Sequence, residues 1–123
     1  MNLVDSSGWL EYLAAGANAK FFAPAIEDTK DLVVSTINIY EVFKRVLQQR
    51  GEPAALEAAA LMEQATVVDV TAAISMSAAL LSTEWKLPMA DSLILATARA
   101  CEAVLWTQDS DFEDIPGVQF TKK

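Results

Sequence analysis

Short apolar runs alternate along the whole chain with longer segments of helical periodicity, and this alternation restricts the fold more than any other feature. The runs of four or five residues are 1–4, 32–35, 66–70 and 103–107, and a shorter one covers residues 118–120. Apolar runs of this length are typical of buried strands in a parallel sheet. Strand–helix–strand units close through right-handed crossovers. The pattern therefore predicts a three-layer α/β fold with a parallel sheet of four to five strands and helices on both faces.

The intervening segments predict six helices. Their expected bounds are residues 8–14, 19–28, 36–50, 53–64, 71–85 and 89–101. Ser35 or Thr36 can cap the third helix, and Gly51 can end it. Pro24 predicts that the second helix is short or interrupted. No repeat, low-complexity segment or linker divides the chain, so we expect one domain over residues 1–123.

The helix expected after Pro88 is apolar or small on almost every side, which is typical of a helix covered by its neighbours. Asp91 lies in its first turn, while Leu95 and Ala98 point to the interior. A carboxylate beside a buried face is costly unless a partner satisfies it. The following strand leads directly to Asp109, so two acidic positions frame this helix and strand.

Composition limits the chemistry that is available. The chain has no histidine, which excludes Ser-His-Asp and Cys-His triads and disfavours a zinc site. Cys101 is the single cysteine, so no internal disulfide can form, and a reducing cytoplasm is the expected location. We see neither a signal peptide nor a transmembrane segment. The net charge of −8 counts against nonspecific polyanion binding but suits an acidic cluster neutralised by metal, or a basic partner.

Carboxylates are expected to meet beyond the carboxyl ends of the strands, where functional residues of such sheets gather. Asp5 follows the first strand, and Asp109 and Asp111 follow the fourth. Glu41 lies early in the helix after the second strand, and Asp91 begins the helix before the fourth. Clusters rich in carboxylate oxygen bind Mg²⁺ or Mn²⁺, which can activate water for attack on a phosphodiester.

Most of these carboxylates also have a purely structural interpretation. Asp5, which precedes two serines, can cap the first helix. Asp91 can stabilise the positive end of its own helix, although its apolar surroundings favour a functional role. Asp109 and Asp111 can stabilise a turn. Asp69 is assigned to structure, as is Asp114.

For Glu41 the residue pattern alone favours structure. Glu41 lies opposite the apolar stripe of its helix and four residues before Arg45, as in an ordinary exposed ion pair. Lys44, Arg45 and Arg50 could face RNA phosphates, but a solvated helix face is the simpler interpretation. Trp9, like the other two tryptophans, is assigned to the core rather than to a base-stacking platform.

Four motifs together resemble PIN-domain ribonucleases, and specifically VapC-type toxins of bacterial and archaeal toxin–antitoxin pairs. The resemblance covers nearly the whole chain and depends on the order and spacing of the motifs. They are Val4-Asp5-Ser6-Ser7, then Ser35-Thr36 with Tyr40-Glu41-Val42, then Leu87-Pro88-Met89-Ala90-Asp91-Ser92-Leu93-Ile94, and finally Thr107-Gln108-Asp109-Ser110-Asp111-Phe112 followed by Ile115-Pro116-Gly117-Val118.

The resemblance implies a Mg²⁺- or Mn²⁺-dependent endoribonuclease that cleaves single-stranded regions of RNA, forms a homodimer and is held inactive by a cognate antitoxin. Its implied catalytic residues are Asp5, Glu41, Asp91 and Asp109. The implied metal ligands are Asp5, Asp91, Asp109 and Asp111, supported by Ser6 and Thr107. Many relatives have Asn where this chain has Asp109, which leaves open whether Asp109 or Asp111 is the main ligand after the fourth strand.

Two other functions compete with this one. A phosphoryl-accepting signalling domain has similar length, but it would carry an acidic pair after the first strand, where this chain has Asp5 followed by two serines. A haloacid-dehalogenase-like phosphatase would carry Asp-x-Asp there. A PIN-like interaction module without activity is disfavoured by the intact carboxylates.

Aromatic residues on the early helices predict a partner surface. Phe21, Phe22, Trp9, Tyr40 and Phe43 are many apolar rings for a small acidic protein, and exposed apolar surface of this kind usually belongs to an interface. We expect an antitoxin segment to cover them and to reach the carboxylates with a Lys or Arg. The alternative is that these rings are ordinary core.

Overall fold

The computed structural model describes every residue, Met1–Lys123, and its centre is a five-stranded parallel sheet. The strand order is β3-β2-β1-β4-β5, and all four pairings are parallel. The strands are β1 (Asn2–Val4), β2 (Leu32–Ser35), β3 (Thr66–Val68), β4 (Val104–Thr107) and β5 (Gln119–Phe120). The predicted three-layer α/β fold is therefore confirmed.

Helices cover both faces of the sheet. They are α1 (Ser6–Leu13), α2 (Ala19–Glu27), α3 (Thr36–Arg50), α4 (Glu52–Met62), α5 (Ala72–Trp85) and α6 (Met89–Ala100), with short 3-10 turns at Thr29–Asp31 and Ser110–Phe112. Successive strand residues point to opposite faces. Leu3 accordingly packs into the core cluster of α5 and α6, whereas Val4 packs into the cluster of α1–α4. No helix combines the length and apolar character that crossing a lipid bilayer requires.

Of the two outcomes predicted for the second helix, the structure shows the short one, a helix of nine residues. Pro24 lies inside α2, yet the helix runs without interruption from Ala19 to Glu27. A proline removes one backbone donor, which is tolerable in a helix whose opposite face is buried through Phe22 and Ile26. Packing of that face against the sheet therefore outweighs the local cost.

The prediction of an aromatic partner surface on the early helices is mostly wrong. Trp9 and Phe22 are fully buried in the core. Phe21 is half-buried and stacks edge-on against Phe22 with ring centroids 5.0 Å apart. Among the five rings only Tyr40 is strongly exposed, with 59% of its surface accessible. The core interpretation of these rings is the one that the structure supports.

Candidate active site

Four of the acidic positions meet in one cleft at the carboxyl ends of β1, the central strand of the sheet, and its neighbour β4. Asp5 directly follows β1, and Asp109 follows β4 by two residues. The first turn of α6 contributes Asp91, and the second turn of α3 contributes Glu41. The cleft has a volume of about 330 Å³, and Ser6, Ser7, Leu10, Arg45 and Ile94 complete its lining. The catalytic role of these carboxylates remains a prediction.

Asp5 both caps a helix and lines the cleft. One carboxylate oxygen accepts a hydrogen bond from the Gly8 backbone at 2.9 Å, and the other accepts from the Thr107 hydroxyl at 2.7 Å. The Ser7 hydroxyl also donates to it, at 2.8 Å. The pKa of Asp5 is raised to about 6, mainly by burial and to a smaller extent by the charge of Asp109. The three hydrogen bonds act in the opposite direction and lower it.

Asp91 is the most strongly perturbed carboxyl group of the site. Burial, the charge of Asp109 and a hydrogen bond shared with Asp111 raise the pKa of Asp91 to about 8. One oxygen each of Asp91, Asp109 and Asp111 lies within 4.8 Å of the other two. Ionisation of all three carboxyl groups at this separation is unfavourable, and either a proton on Asp91 or a bound cation relieves the repulsion.

Asp111 is exposed and does not line the cleft itself, but it joins the carboxylate triad at the rim. Its backbone N–H donates to the Asp109 carboxylate at 2.9 Å, which caps the 3-10 turn. Asp109 and Asp111 can therefore stabilise the turn and still offer carboxylate oxygens to a metal ion. The predicted set of metal ligands divides into a close triad and Asp5, which lies outside it with its oxygens already hydrogen-bonded.

The donor set fits a small hard cation. All candidate ligands are carboxylate oxygens, with no nitrogen or sulfur donor in the cleft, which suits Mg²⁺ or Mn²⁺. Oxygens on opposite sides of a Mg²⁺ ion are about 4.2 Å apart, twice the metal–oxygen distance. One oxygen each of Asp91, Asp109 and Asp111 lies within 4.8 Å of the other two, which is close to that spacing.

Glu41 is held by a buried polar chain instead of an ion pair. The Ser6 hydroxyl donates to its carboxylate at 2.6 Å, and Asn38 donates to Ser6 at 3.1 Å. The expected pair with Arg45 is not formed, and the single ion pair in the structure joins the N-terminal amine to Asp31. The predicted surface pair of Glu41 with Arg45 is therefore wrong, whereas the supporting role of Ser6 stays a prediction.

Asn38 is the supporting residue that the sequence analysis missed. It is fully buried, and its side-chain oxygen accepts from the Ser35 backbone at 3.1 Å in a capping box. Asn38 lies one helical turn before Val42 and two before Val46, both buried. A polar residue on the buried stripe of α3 was the signal that could have identified it.

The loop that carries Asp109 is anchored at a second point. Gln108 is buried and accepts a hydrogen bond from the Asn18 side chain at 2.9 Å. The backbone N–H of Asp109 donates to the Thr107 hydroxyl at 2.9 Å. Thr107, predicted as a supporting residue, thus connects Asp5 to the loop of Asp109 through one hydroxyl group.

A larger groove adjoins the acidic cleft. It has a volume of about 630 Å³, runs between α1, α3 and α4, and shares Ser7, Leu10 and Arg45 with the cleft. Its apolar lining includes Leu13 and Leu61. The acidic cleft thus opens directly into an elongated groove of mixed character.

Comparison with known proteins identifies relatives of this fold. The chain matches the PIN domain family over residues 3–118. It is similar to the toxin–antitoxin complex from Klebsiella pneumoniae, with 24% identity, a TM-score of 0.80, and 96% of this chain and 95% of that chain covered. It is also similar to VapC20 from Mycobacterium tuberculosis, a toxin that cleaves the sarcin–ricin loop (22% identity, TM-score 0.79, coverage 97% and 98%).

A third similar structure is VapBC-1 from nontypeable Haemophilus influenzae, with 21% identity, a TM-score of 0.72, and 98% and 96% of the two chains covered. No curated protein sequence matches the chain significantly. At identities below 25%, the solved structures establish the fold of the chain, and the match to the family establishes its family membership.

Proposed function

This chain belongs to the PIN domain family, and we propose that it is a Mg²⁺- or Mn²⁺-dependent endoribonuclease that cleaves single-stranded regions of RNA. We propose further that it is the toxin of a type II toxin–antitoxin pair. Family members are nucleases that use divalent metal ions, and the structural relatives include toxins in complex with antitoxins. Cys101 forms no disulfide, which suits the cytoplasmic location that we propose.

The observation that carries the proposal is the convergence of Asp5, Glu41, Asp91 and Asp109 on one cleft from four distant segments. Two of them have pKa values raised by burial and by neighbouring carboxylates. Arg45 lines the same cleft but forms no ion pair with these carboxylates. Concentrated like charges without such a partner reduce stability, so a functional reason is needed to retain them. A divalent cation that binds the cluster supplies that reason.

Each residue has a role that its contacts support. Asp91, Asp109 and Asp111 would hold the metal, with Asp5 beside them as a further acidic group. When bound, the metal supplies Lewis-acid chemistry, providing a nucleophilic water at neutral pH and neutralising charge that develops on the phosphodiester. Glu41 is oriented by Ser6 and can accept a proton at its carboxylate oxygens.

A cognate antitoxin is the partner that we propose. The groove between α1, α3 and α4 offers Leu10, Leu13 and Leu61 to the apolar side chains of a partner helix. A Lys or Arg of that partner could enter the adjoining acidic cleft and compete with the metal through a charge-assisted pair. This replaces the aromatic surface expected from the sequence, because most of those rings are buried or half-buried.

A homodimer is also proposed. Met76 and Leu80 lie one turn apart on α5 and expose 66% and 74% of their surface. Met89, at the start of α6, exposes 73%. Large apolar side chains that remain solvent-exposed on one face of a helix are typical of an interaction surface.

A cleavage assay tests the function. The purified chain should cut an unstructured RNA in the presence of Mg²⁺ or Mn²⁺ and lose this activity with EDTA or with the Asp5→Asn substitution. Asp69→Asn is the matched control, since Asp69 is exposed and lies outside the cleft. Absence of cleavage by the wild type under all metal conditions would favour the interaction module without activity.

A further inference from the structure

Two of the three basic residues of α3 face the groove that leads into the acidic cleft. Among the nine cationic residues of the chain, three lie within the last seven residues of α3, as Lys44, Arg45 and Arg50. Arg45 and Arg50 both line the groove, and Arg45 also lines the acidic cleft. Lys44 lines neither and lies instead over the Tyr40 ring, 5.7 Å from its centroid.

These arginines have no carboxylate partner. The single ion pair of the structure joins the N-terminal amine to Asp31, so neither guanidinium lies within 4.0 Å of an acidic oxygen. Two acidic side chains also line the groove, but Glu11 is engaged by the Asn18 backbone at 2.8 Å, which leaves Glu57 as the other. Unpaired arginines in a protein of net charge −8 would otherwise be expected to find acidic neighbours.

We infer that Arg45 and Arg50 bind phosphates of the RNA strand next to the one that is cleaved, so that the groove is the path of the strand into the cleft. This inference rests on the proposed ribonuclease function. Arg45 lies one helical turn after Glu41, about 6 Å further along the helix axis, and thus flanks the acidic centre. A planar guanidinium matches the geometry of a phosphate through two parallel hydrogen bonds.

Charge decides between the two kinds of macromolecule that could contact these side chains. A net-acidic protein must offset long-range repulsion if it is to bind a polyanion, and local cations at the entrance of the site achieve this. An antitoxin helix would use the apolar lining of the groove and would send one cation to the carboxylates, and neither contact calls for an arginine of this chain. The arginines therefore favour RNA, whereas the apolar floor of the groove suits the partner helix.

Binding of RNA can be measured without cleavage. In an Asp91→Asn background, a short fluorescein-labelled oligouridine should bind in Mg²⁺ buffer, as followed by fluorescence anisotropy. Arg45→Ala and Arg50→Ala should each weaken binding roughly 5- to 10-fold and reduce the slope of log K against log[salt] by about one. Lys44→Ala removes the same charge one residue away and should change affinity less than about twofold.

Cleavage measured in the otherwise wild-type chain separates the proposed RNA path from the proposed ribonuclease function on which it rests. Arg45→Ala should raise KM with little change in kcat, because it removes a contact to substrate that persists through the reaction. Equal affinities of the Arg45→Ala and Lys44→Ala proteins would overturn the RNA path, even if RNA is cleaved. Equal RNA affinities combined with impaired antitoxin binding by Arg45→Ala would assign the arginines to the protein partner. A third outcome is that Arg45→Ala and Arg50→Ala weaken RNA binding, Lys44→Ala does not, and the wild type cleaves no RNA. That outcome would reject the proposed nuclease function and retain the RNA path.

Discussion

The Thr107 hydroxyl donates a 2.7 Å hydrogen bond to the buried carboxylate of Asp5 and joins two strands at the floor of the acidic cleft. The same oxygen accepts from the backbone N–H of Asp109 at 2.9 Å. One side chain therefore fixes the carboxylate that follows β1 and the loop that follows β4. It also lowers the pKa of Asp5 against the effect of burial.

Replacing Thr107 by valine should destabilise the protein by about 1–3 kcal/mol, because a buried carboxylate and a backbone N–H each lose a partner. The pKa of Asp5 should rise further, so the acidic limb of the cleavage profile should move to higher pH. Urea unfolding and a pH–rate profile measure the two effects. Thr97→Val is the matched control, since Thr97 is equally buried but bonds only the Leu93 carbonyl. An identical pH profile in both variants would contradict the link to Asp5.

Much of the fold follows from hydrophobic patterning, because strand and helix periods differ clearly in this chain. The bounds of β2 and α3 agree with their prediction, since a capping box begins α3 and Gly51 ends it with φ of 88°. The bounds of β3 are predicted less well, since this strand ends two residues before the predicted bound. The apolar pattern of residues 66–70 is weak at this sheet edge, where the strand is largely exposed.

Patterning is less informative about the site. Glu41 lies outside the apolar stripe of α3, and only tertiary contact with Ser6 shows why a carboxylate is retained there. The order of strands in the sheet is also a tertiary property, and it is what makes β1 and β4 neighbours. Burial of Trp9 and Phe22 depends on how α1 and α2 pack, which their composition does not reveal.

Stability without metal should fall as pH rises from about 4 to about 8. The folded-state pKa of Asp91, about 8, exceeds the ordinary value of 3.8, so the folded protein holds this proton more tightly than the unfolded chain. The stabilisation is complete below about pH 4 and is lost as pH rises through about 8. Asp91→Asn should remove the contribution of Asp91 to this dependence and leave that of Asp5. The variant should exceed wild-type stability at pH 8 by about 1–2 kcal/mol after discounting for solvent screening.

Urea unfolding of both proteins in EDTA, at several pH values, measures the difference. The two curves should converge near pH 4, where Asp91 is protonated in both the folded and the unfolded states. A constant difference between them across the whole range would mean that ionisation of Asp91 is not responsible.

Mg²⁺ should stabilise the wild type. At a concentration ten times its dissociation constant, a ligand that binds only the folded state adds about 1.4 kcal/mol. For a domain of this size, that corresponds to an increase in Tm of about 3–6 °C. The increase should be larger at pH 8 than at pH 6, because metal displaces protons from Asp5 and Asp91. Thermal scans should show it retained in Asp114→Asn, whose exposed side chain is outside the cleft, and reduced in Asp91→Asn. Equal increases in the two variants would count against the metal site.

Leu80→Glu should dissociate the proposed homodimer, because it introduces charge at an apolar side chain that is 74% exposed in the isolated protomer. Light scattering coupled to gel filtration measures the mass. Leu56→Glu is the control, as Leu56 is 55% exposed on α4, a different helix. If Leu56→Glu rather than Leu80→Glu yields the monomer, the dimer surface lies on α4.

Asn38→Leu tests whether the buried polar chain positions Glu41. The substitution keeps a side chain of similar size in α3 but leaves the Ser35 N–H and the Ser6 hydroxyl each without one partner, which should cost about 2–4 kcal/mol. Ser6 would then be free to rotate away from the Glu41 carboxylate, to which it donates at 2.6 Å. Cleavage per folded molecule should fall roughly 10-fold or more, as expected when a catalytic group loses its orientation.

Val42→Ala distinguishes positioning from general loss of stability. Val42 is buried one turn after Asn38 in the same stripe of α3, so its truncation weakens the same packing without touching the polar chain. Cleavage by folded Val42→Ala should remain close to wild type, whereas that of Asn38→Leu should not. A double-mutant cycle that combines Asn38→Leu with Ser6→Ala completes the test, because Asn38 is expected to act on Glu41 through Ser6. The double variant should therefore lose no more activity than the more impaired single variant, and additive losses would show that Asn38 affects cleavage by another route.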